Sequence, residues 1–309
     1  MKYLFGPVNS RRLGRSQGID LIPNNVCNFN CIYCEVGARG QISGERREYT
    51  PTAEIIAELE QLFADEARVT AIDVFTVTAT GEPTLHLGIG KVIAYLKGKT
   101  TKPVAVLTNG SLLSLPEVRL ALLAADIVIP SLDAARPVSY RKINRPLASA
   151  DLESIIAGLQ QFGREFKGQV WLEILLAKGI NDQPEDIVAL KEAIQRINPS
   201  RVQLNTVVRP PLEKFAQPLS HEELLQVAAQ LGDKVEIIAT FTHGASKNFT
   251  PLQAEEIVQM LQRRPCTTAD IREALNLEPG AVNECLQELA LAGRIKATSH
   301  AGKDYWTSK

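Results

Sequence analysis

Three cysteines, Cys27, Cys31 and Cys34, fall within eight positions in the stretch Pro23-Asn-Asn-Val-Cys-Asn-Phe-Asn-Cys-Ile-Tyr-Cys-Glu-Val-Gly37, and the whole chain holds only five. A loop that brings three thiolates to one point can hold an iron–sulfur cluster or a soft metal such as zinc, because both bind deprotonated sulfur. Zinc wants a fourth ligand, and none lies close by in sequence. The nearest histidine is His86, Cys266 and Cys285 are far along the chain, and the Glu35 carboxylate is a hard donor beside soft ones. A structural trio of buried thiols is the third reading. Cys266 and Cys285 themselves read as small buried apolar residues.

The elements that must position these thiols follow a regular alternation. Gly18-Ile-Asp-Leu-Ile-Pro23 is an alternating apolar run that predicts a strand, so the thiol loop sits at a strand's carboxyl end, where α/β active sites form. Helical spacing from Thr52 to Phe63, behind an expected cap at Thr50, leads to a strand over Ala71–Thr78. Further strands are predicted at 104–108, 127–133, 170–176 and 201–206, separated by helices at 87–96, 115–125, 152–162 and 187–196. A helix at 221–231 and a short apolar run at 235–238 close the domain. Six alternations of this kind predict a parallel α/β barrel, open or incomplete.

Polar residues gather at the predicted strand tips. Thr80-Gly81-Glu82 follows the second strand, Thr108-Asn109-Gly110 the third, Ser131 and Asp133 the fourth, and Ala177-Lys-Gly-Ile-Asn-Asp182 the fifth. Glu173, Gln203 and Asn205 are polar residues inside apolar strands. They are candidate substrate contacts or members of an internal hydrogen-bond network, since a buried polar group without a partner costs ~1–3 kcal/mol. Arg11, Arg12, Arg15, Arg141, Arg145 and Arg209 fall near expected mouth loops and could bind phosphate or carboxylate.

The chain has 309 residues, 45% apolar and 22% charged, with a net charge of −1. These values suit an ordinary globular protein and give no global attraction to nucleic acid or anionic membrane. No run approaches a membrane span and the amino terminus lacks a signal-peptide core, so a cytoplasmic, reducing location is expected.

Cys-x3-Cys-x2-Cys with Tyr33 directly before the last cysteine resembles the cluster loop of the radical S-adenosylmethionine (SAM) superfamily. The resemblance implies a partial (β/α)6 barrel in which Cys27, Cys31 and Cys34 ligate a [4Fe–4S] cluster whose open iron chelates SAM. It implies one-electron cleavage of SAM to a 5′-deoxyadenosyl radical that abstracts hydrogen from substrate. It further implies SAM contacts from Thr80, Gly81 and Glu82, from Thr108, Asn109, Ser131 and Asp133, and around adenine from Tyr33 and Ile180. A flavodoxin or ferredoxin is the expected electron donor. Together with Gly81-Glu-Pro-Thr-Leu85, Pro130-Ser-Leu-Asp133, Ile143-Asn-Arg-Pro146, Lys178-Gly-Ile-Asn181 and Gln203-Leu-Asn-Thr206, the chain is similar to the group related to the wyosine-forming tRNA-modifying enzymes. Those carry a second cluster on three further cysteines upstream, and no cysteine precedes Cys27 here, so a relative with a different substrate is expected.

The pattern changes near Ser246-Lys-Asn-Phe-Thr-Pro251, which divides the chain into a barrel (1–245), a linker (246–251) and a carboxyl-terminal unit (252–309). Helices at 252–263, 268–275 and 280–292 and a hairpin at 294–307 resemble a winged helix. The helix expected to read DNA contains Glu284 and Glu288 and no Lys or Arg, which argues against duplex DNA. The leading expectation is a radical SAM enzyme acting on RNA or another macromolecule. An activase or peptide modifier is the second, with Glu173, Gln203, Asn205 and Arg209 as candidate substrate contacts. A cluster-sensing DNA-binding regulator is the third.

Overall fold

The computed structural model describes residues 1–309 except 11, 24, 37–40, 239–250, 276, 278 and 301. Strands β1 (Leu4–Ser10) and β2 (Gly14–Asp20) form an antiparallel hairpin, and β3 (Val26–Cys27) pairs in parallel with β4 (Gln41–Ile42) across the thiol loop. The chain continues through α1 (Thr52–Phe63), α2 (Glu66–Thr70), β5 (Val74–Thr78), a 3-10 turn at Pro83–Leu85, α3 (Ile89–Lys99), β6 (Val104–Thr108) and α4 (Pro116–Leu122). Then come β7 (Ile127–Pro130), α5 (Pro137–Asn144), α6 (Leu152–Glu165), β8 (Gln169–Leu176), α7 (Pro184–Ile197), β9 (Arg201–Thr206), α8 (His221–Leu231) and β10 (Val235–Ile237). The eight-stranded sheet has the order β1-β2-β5-β6-β7-β8-β9-β10, and every pair from β2 onward is parallel. This is the expected partial (β/α)6 barrel, with β1 and β10 added at its two edges.

Period-2 alternation along the strands makes two separate apolar layers. Outward residues such as Phe75, Val106, Val128, Leu172 and Leu204 join the helices in the main core. Inward residues Val74, Ala105, Ile127, Ile129 and Trp171 form a smaller cluster that floors the lumen. Further along most of the strands the inward positions become polar: Thr76 and Thr78 on β5, Ser131 after β7, Glu173 on β8, Gln203 and Asn205 on β9, with Leu107 on β6 remaining apolar. The lumen is therefore dry at its amino end and polar toward the thiol loop.

Two local readings change. Residues 5–15, rich in turn formers, contain β1, which tolerates Gly6 and Pro7 because it is an edge strand with a bulge between Phe5 and Val8. The β1–β2 turn consequently places Arg12 and Arg15 at the opposite end of β2 from the thiol loop, not at the mouth; Arg11 lies outside the described residues. Helix α1 begins at Thr52, whose backbone N–H donates to Glu48 Oε1 at 2.9 Å, so a glutamate four residues upstream serves the helix start instead of Thr50.

The carboxyl-terminal elements are α9 (Pro251–Arg263), α10 (Thr268–Leu275), α11 (Pro279–Leu291), β11 (Ile295–His300) and β12 (Lys303–Ser308), in the expected order of three helices and a hairpin. Residues 246–250 of the expected linker, with the expected cap Thr250, lie outside the described residues. Ile257, Leu261, Ile271, Val282, Leu286 and Ile295 form a separate buried cluster, against which Val8 of β1 packs. The Tyr305 hydroxyl donates to the Val208 carbonyl, and Arg263 lies 3.7 Å from Asp20, so this unit is docked on the barrel. Among the described residues no helix is long and apolar enough to cross a membrane.

Helix α6 depends on a close backbone approach: a Cβ on Gly158 would lie 2.4 Å from Ser114 N and 2.6 Å from Leu113 C. Gly158→Ala is expected to destabilise by about 1–3 kcal/mol from forced displacement, offset by at most ~1 kcal/mol of helix propensity. Gly98, in the last turn of α3 with nothing within 4 Å of a Cβ, should respond in the opposite sense. There Gly98→Ala should gain roughly 0.5–1 kcal/mol. Urea denaturation of the two variants measures both signs.

Candidate active site

Among its described residues the thiol loop contains only the two-residue strand β3, so its backbone groups must bond to other elements. Val26 carbonyl accepts from Glu82 N at 3.0 Å, and Cys27 carbonyl accepts from Ser43 N at 3.0 Å. Asn30 N and Ile32 N donate to the Asn144 and Ile143 carbonyls at 3.0 and 2.9 Å, while the Asn28 and Ile32 carbonyls accept from Leu147 N and Glu213 N. The tip of β5, the end of α5 and the segment after β9 thus hold the loop. At the first of these, a Cβ on Gly81 would stand 1.7 Å from the Val26 carbonyl oxygen. The glycine is required by the loop's own backbone.

All three thiols are buried, and together they line one pocket of about 180 Å³ at the carboxyl ends of β5–β7. N–H groups are directed at two of the sulfurs. Phe29 N and Asn109 Nδ2 lie 3.4 and 3.7 Å from Cys27 Sγ, and Asn144 Nδ2 lies 3.5 Å from Cys31 Sγ. Burial, and after it the Asp133 carboxylate, pushes the Cys31 thiol up, so binding metal there must displace a proton. Among the described residues no group of three or more His, Cys, Asp or Glu side chains closes around a single ion position.

Two buried carboxylates organise the strand tips. Glu82 Oε1 accepts from Thr84 N, Thr84 Oγ1 and Thr108 Oγ1 at 2.9, 2.6 and 2.6 Å, and Oε2 accepts from Asn109 N at 2.6 Å. Burial raises its pKa and the four donors oppose the rise. Asp133 Oδ2 accepts from the Tyr33 hydroxyl at 2.5 Å and Asn144 Nδ2 at 2.6 Å, and Oδ1 accepts from Leu175 N at 2.9 Å. Burial pushes Asp133 up to about 6 against those same donors. Asn109 is fixed in turn: its Nδ2 donates to Asn28 Oδ1 at 2.8 Å and its Oδ1 accepts from Ser111 Oγ at 2.6 Å.

Of the residues expected to meet SAM, Tyr33, Gly81, Glu82, Thr108, Asn109 and Ser131 line the thiol pocket. Asp133 stands behind it, in a recess shared with Tyr33 and Asn144. Thr80 turns its hydroxyl to the Ile22 carbonyl and borders a neighbouring cavity, and Ile180 packs against the main core away from both. Of the substrate candidates, Glu173 lines the thiol pocket. Glu173 and Gln203 share Arg12, whose Nη1 donates to them at 2.8 and 3.0 Å, and Asn205 Nδ2 reaches Glu173 Oε1 at 3.4 Å. Arg209 is buried in an ion pair with Glu35 at 3.0 Å. Sequence reasoning missed Asn28, Asn144 and the inward course of Arg12. Asn144 lies within Ile143-Asn-Arg-Pro146, but nothing local marks it as the side chain that reaches a sulfur.

The pattern described as Radical SAM superfamily matches residues 21–190, more than half of the chain and the whole stretch from the thiol loop to α7. The chain belongs to the radical SAM superfamily. A UPF0026 protein of Methanocaldococcus jannaschii is 30% identical over 99% of this chain and 96% of its own length. A Brachyspira hyodysenteriae protein named GTPase Obg is 37% identical over 96% of this chain, which spans only 43% of that protein. The phosphate-binding loop Gly-x4-Gly-Lys-Ser/Thr is absent from the present sequence. The solved structure of TYW1 with a lysine–pyruvate adduct bound aligns with a TM-score of 0.54 at 23% identity, covering 74% of this chain and 75% of that one, a likeness of fold.

Radical SAM enzymes use a [4Fe–4S] cluster and SAM, and the donor set here fits a cluster. Three sulfurs face one pocket, amide N–H groups are aimed at two of them, and the two carboxylates in the wall, Glu82 and Glu173, are engaged elsewhere.

Gly81→Ala is expected to push β3 off the tip of β5 and to cut iron content severalfold after anaerobic reconstitution, assayed as iron per chain beside Gly98→Ala. Asp133 sets a pH dependence in the metal-free protein. Its folded value, about 6, exceeds the ordinary 3.8, so its contribution is fully present at low pH and is lost as the pH rises from 3.8 to about 6. The loss is at most about 3 kcal/mol. Urea titrations across that range should show stability falling with pH in wild type and a flatter profile in Asp133→Asn.

Proposed function

We propose that Cys27, Cys31 and Cys34 ligate the [4Fe–4S] cluster and that SAM is held against it by Gly81, Asn109 and Ser131 at the tips of β5–β7, with Tyr33 beside the adenine. The observation that carries this reading is three buried thiols, two of them with N–H donors aimed at sulfur, opening on the polar end of a parallel barrel. The chemistry supplied by the bound group is one-electron cleavage of SAM to a 5′-deoxyadenosyl radical, which takes a hydrogen from substrate.

The chain's own residues make that chemistry containable. Phe29 N, Asn109 Nδ2 and Asn144 Nδ2 offset negative charge on the sulfurs, which favours the reduced state. Glu82 fixes the backbone of Asn109 and the hydroxyl of Thr108, so neither has to reorganise when SAM arrives. The apolar floor of Val74, Ala105, Ile127 and Trp171 closes the lumen's far end to solvent, which strengthens the polar contacts inside and limits side reactions. Electrons come from a flavodoxin or ferredoxin in this reading, and the substrate enters the lumen beside Thr78 and Leu107. The regulator alternative is disfavoured, since Glu284 and Glu288 leave α11 without basic residues.

Protein purified and reconstituted without oxygen, then reduced with dithionite, should convert SAM to 5′-deoxyadenosine and methionine. The variant with all three of Cys27, Cys31 and Cys34 changed to Ala should form none, as read by chromatography. A wild-type protein that assembles its cluster and leaves SAM intact would end the radical reading.

A further inference from the structure

A second cavity, of about 270 Å³, adjoins the thiol pocket; Thr78 and Leu107 belong to the walls of both. Its lining comes from the β1–β2 hairpin with Arg12, the lumen faces of β2, β5 and β6, the thiol loop at Glu35 and Val36, Ile238 after β10, α9 at Met260 and Arg263, and Arg264 just beyond it. The size is just below the ~300–1,000 Å³ of typical small-molecule sites, and the mixture of apolar wall with a few charged groups is what such sites show. A folded RNA or a protein domain does not enter a space of this volume.

The charges on this wall do not cancel. Arg12 is held by Glu173 at 2.8 Å, Glu35 is neutralised by Arg209 at 3.0 Å, and Asp20 faces Arg263 at 3.7 Å. Arg264 makes no ion pair among the described residues, which leaves one guanidinium in excess. Arg263 is also incompletely satisfied. Its guanidinium stacks over the Phe5 ring at 4.2 Å, donates through Nη1 to the Gln259 carbonyl, and turns its buried Nε toward Asp20 Oδ2 at 3.7 Å, too far for a hydrogen bond. Stacking holds the plane of a guanidinium, and Nη2, which donates to no described residue, is the edge left for an oxyanion.

We propose that this cavity is the substrate site and that it takes a small molecule bearing a carboxylate or phosphate, which Arg264 and Arg263 of the carboxyl-terminal unit bind. The apolar remainder of the molecule lies against Val36 and Met260, with its reacting carbon toward the wall formed by Thr78 and Leu107. The carboxyl-terminal unit therefore completes the site, and the barrel without it has no anion-binding edge there. The cavity's role as the substrate site rests on the radical reading; its binding of an anion does not.

Isothermal titration of the full-length, cluster-loaded protein at constant ionic strength, with inorganic phosphate and separately with succinate, tests this. At least one anion should bind saturably, and which one distinguishes a phosphate ester from a carboxylic acid. Arg264→Ala should weaken that binding tenfold or more, Arg264→Gln, which keeps the stem and its packing, should do the same, and Lys167→Ala on the exposed surface should bind as wild type. No saturable binding of either anion, or unchanged binding in Arg264→Gln, overturns the proposal even in a preparation that cleaves SAM. Binding that is lost in the Arg264 variants upholds the anion site even where SAM is not cleaved, in which case the radical reading alone fails.

Discussion

A loop that carries three buried thiols cannot be held by secondary structure of its own, and in this chain the contact that decides its position is the approach of Val26 to Gly81. The Val26 carbonyl accepts from Glu82 N and lies where any side chain on residue 81 would be. The next residue, Glu82, points its carboxylate the other way, to Thr108 and Asn109 on the neighbouring strand tip. Asn109 then reaches back to Cys27 and Asn28. One dipeptide thus links loop, β5 and β6 in a closed circuit. Glu82, Thr108 and Asn28 are buried and Asn109 is half-buried, so breaking a bond to Glu82 strands a polar group that water reaches poorly.

Asp133 plays the same part on the other side of the pocket, joining Tyr33 of the loop, Asn144 at the end of α5 and Leu175 on β8. The pocket is thereby framed by two buried carboxylates, Glu82 in its wall and Asp133 behind it, whose acceptors are taken by Thr108 and Asn109 in one case and by Tyr33 in the other. Such an arrangement keeps negative charge engaged near sulfur ligands that are themselves anionic when metallated. In this structure the two carboxylates expected to touch cofactor orient their neighbours at the strand tips.

Much of this was legible in the sequence, because the signals are periodic. The strands at 104–108 and 201–206 and the helices at 221–231 and 268–275 occur where apolar spacing puts them, and the six-fold alternation leads directly to the barrel. The thiol spacing was equally plain. What escaped were features fixed by partners distant in sequence. β1 is built on Gly and Pro and survives only as an edge paired with β2. Helix α5 has just two buried apolar side chains, Tyr140 and Ile143, too few for a helical period to stand out. Arg12 looked like a mouth residue because the hairpin that turns it around was not visible. Its reach to Glu173 and Gln203 joins residues 161 and 191 positions away.

Docking of the carboxyl-terminal unit follows from the openness of the barrel. A sheet that runs from β1 to β10 without closing leaves a gap between its edges, and a polar lumen exposed through that gap would admit water to any radical formed inside. Helix α9 stands against β1 at that gap, with Arg263 over Phe5 and beside Asp20. Tyr305 holds the Val208 carbonyl, next to the arginine that neutralises Glu35 of the thiol loop. The unit touches the barrel at the β1 edge and at the segment after β9, and through Arg209 and Glu35 it stands one ion pair from Cys34. Its position is accordingly linked to the geometry of the thiol loop, which gives an appended module a physical reason to be part of the enzyme's core.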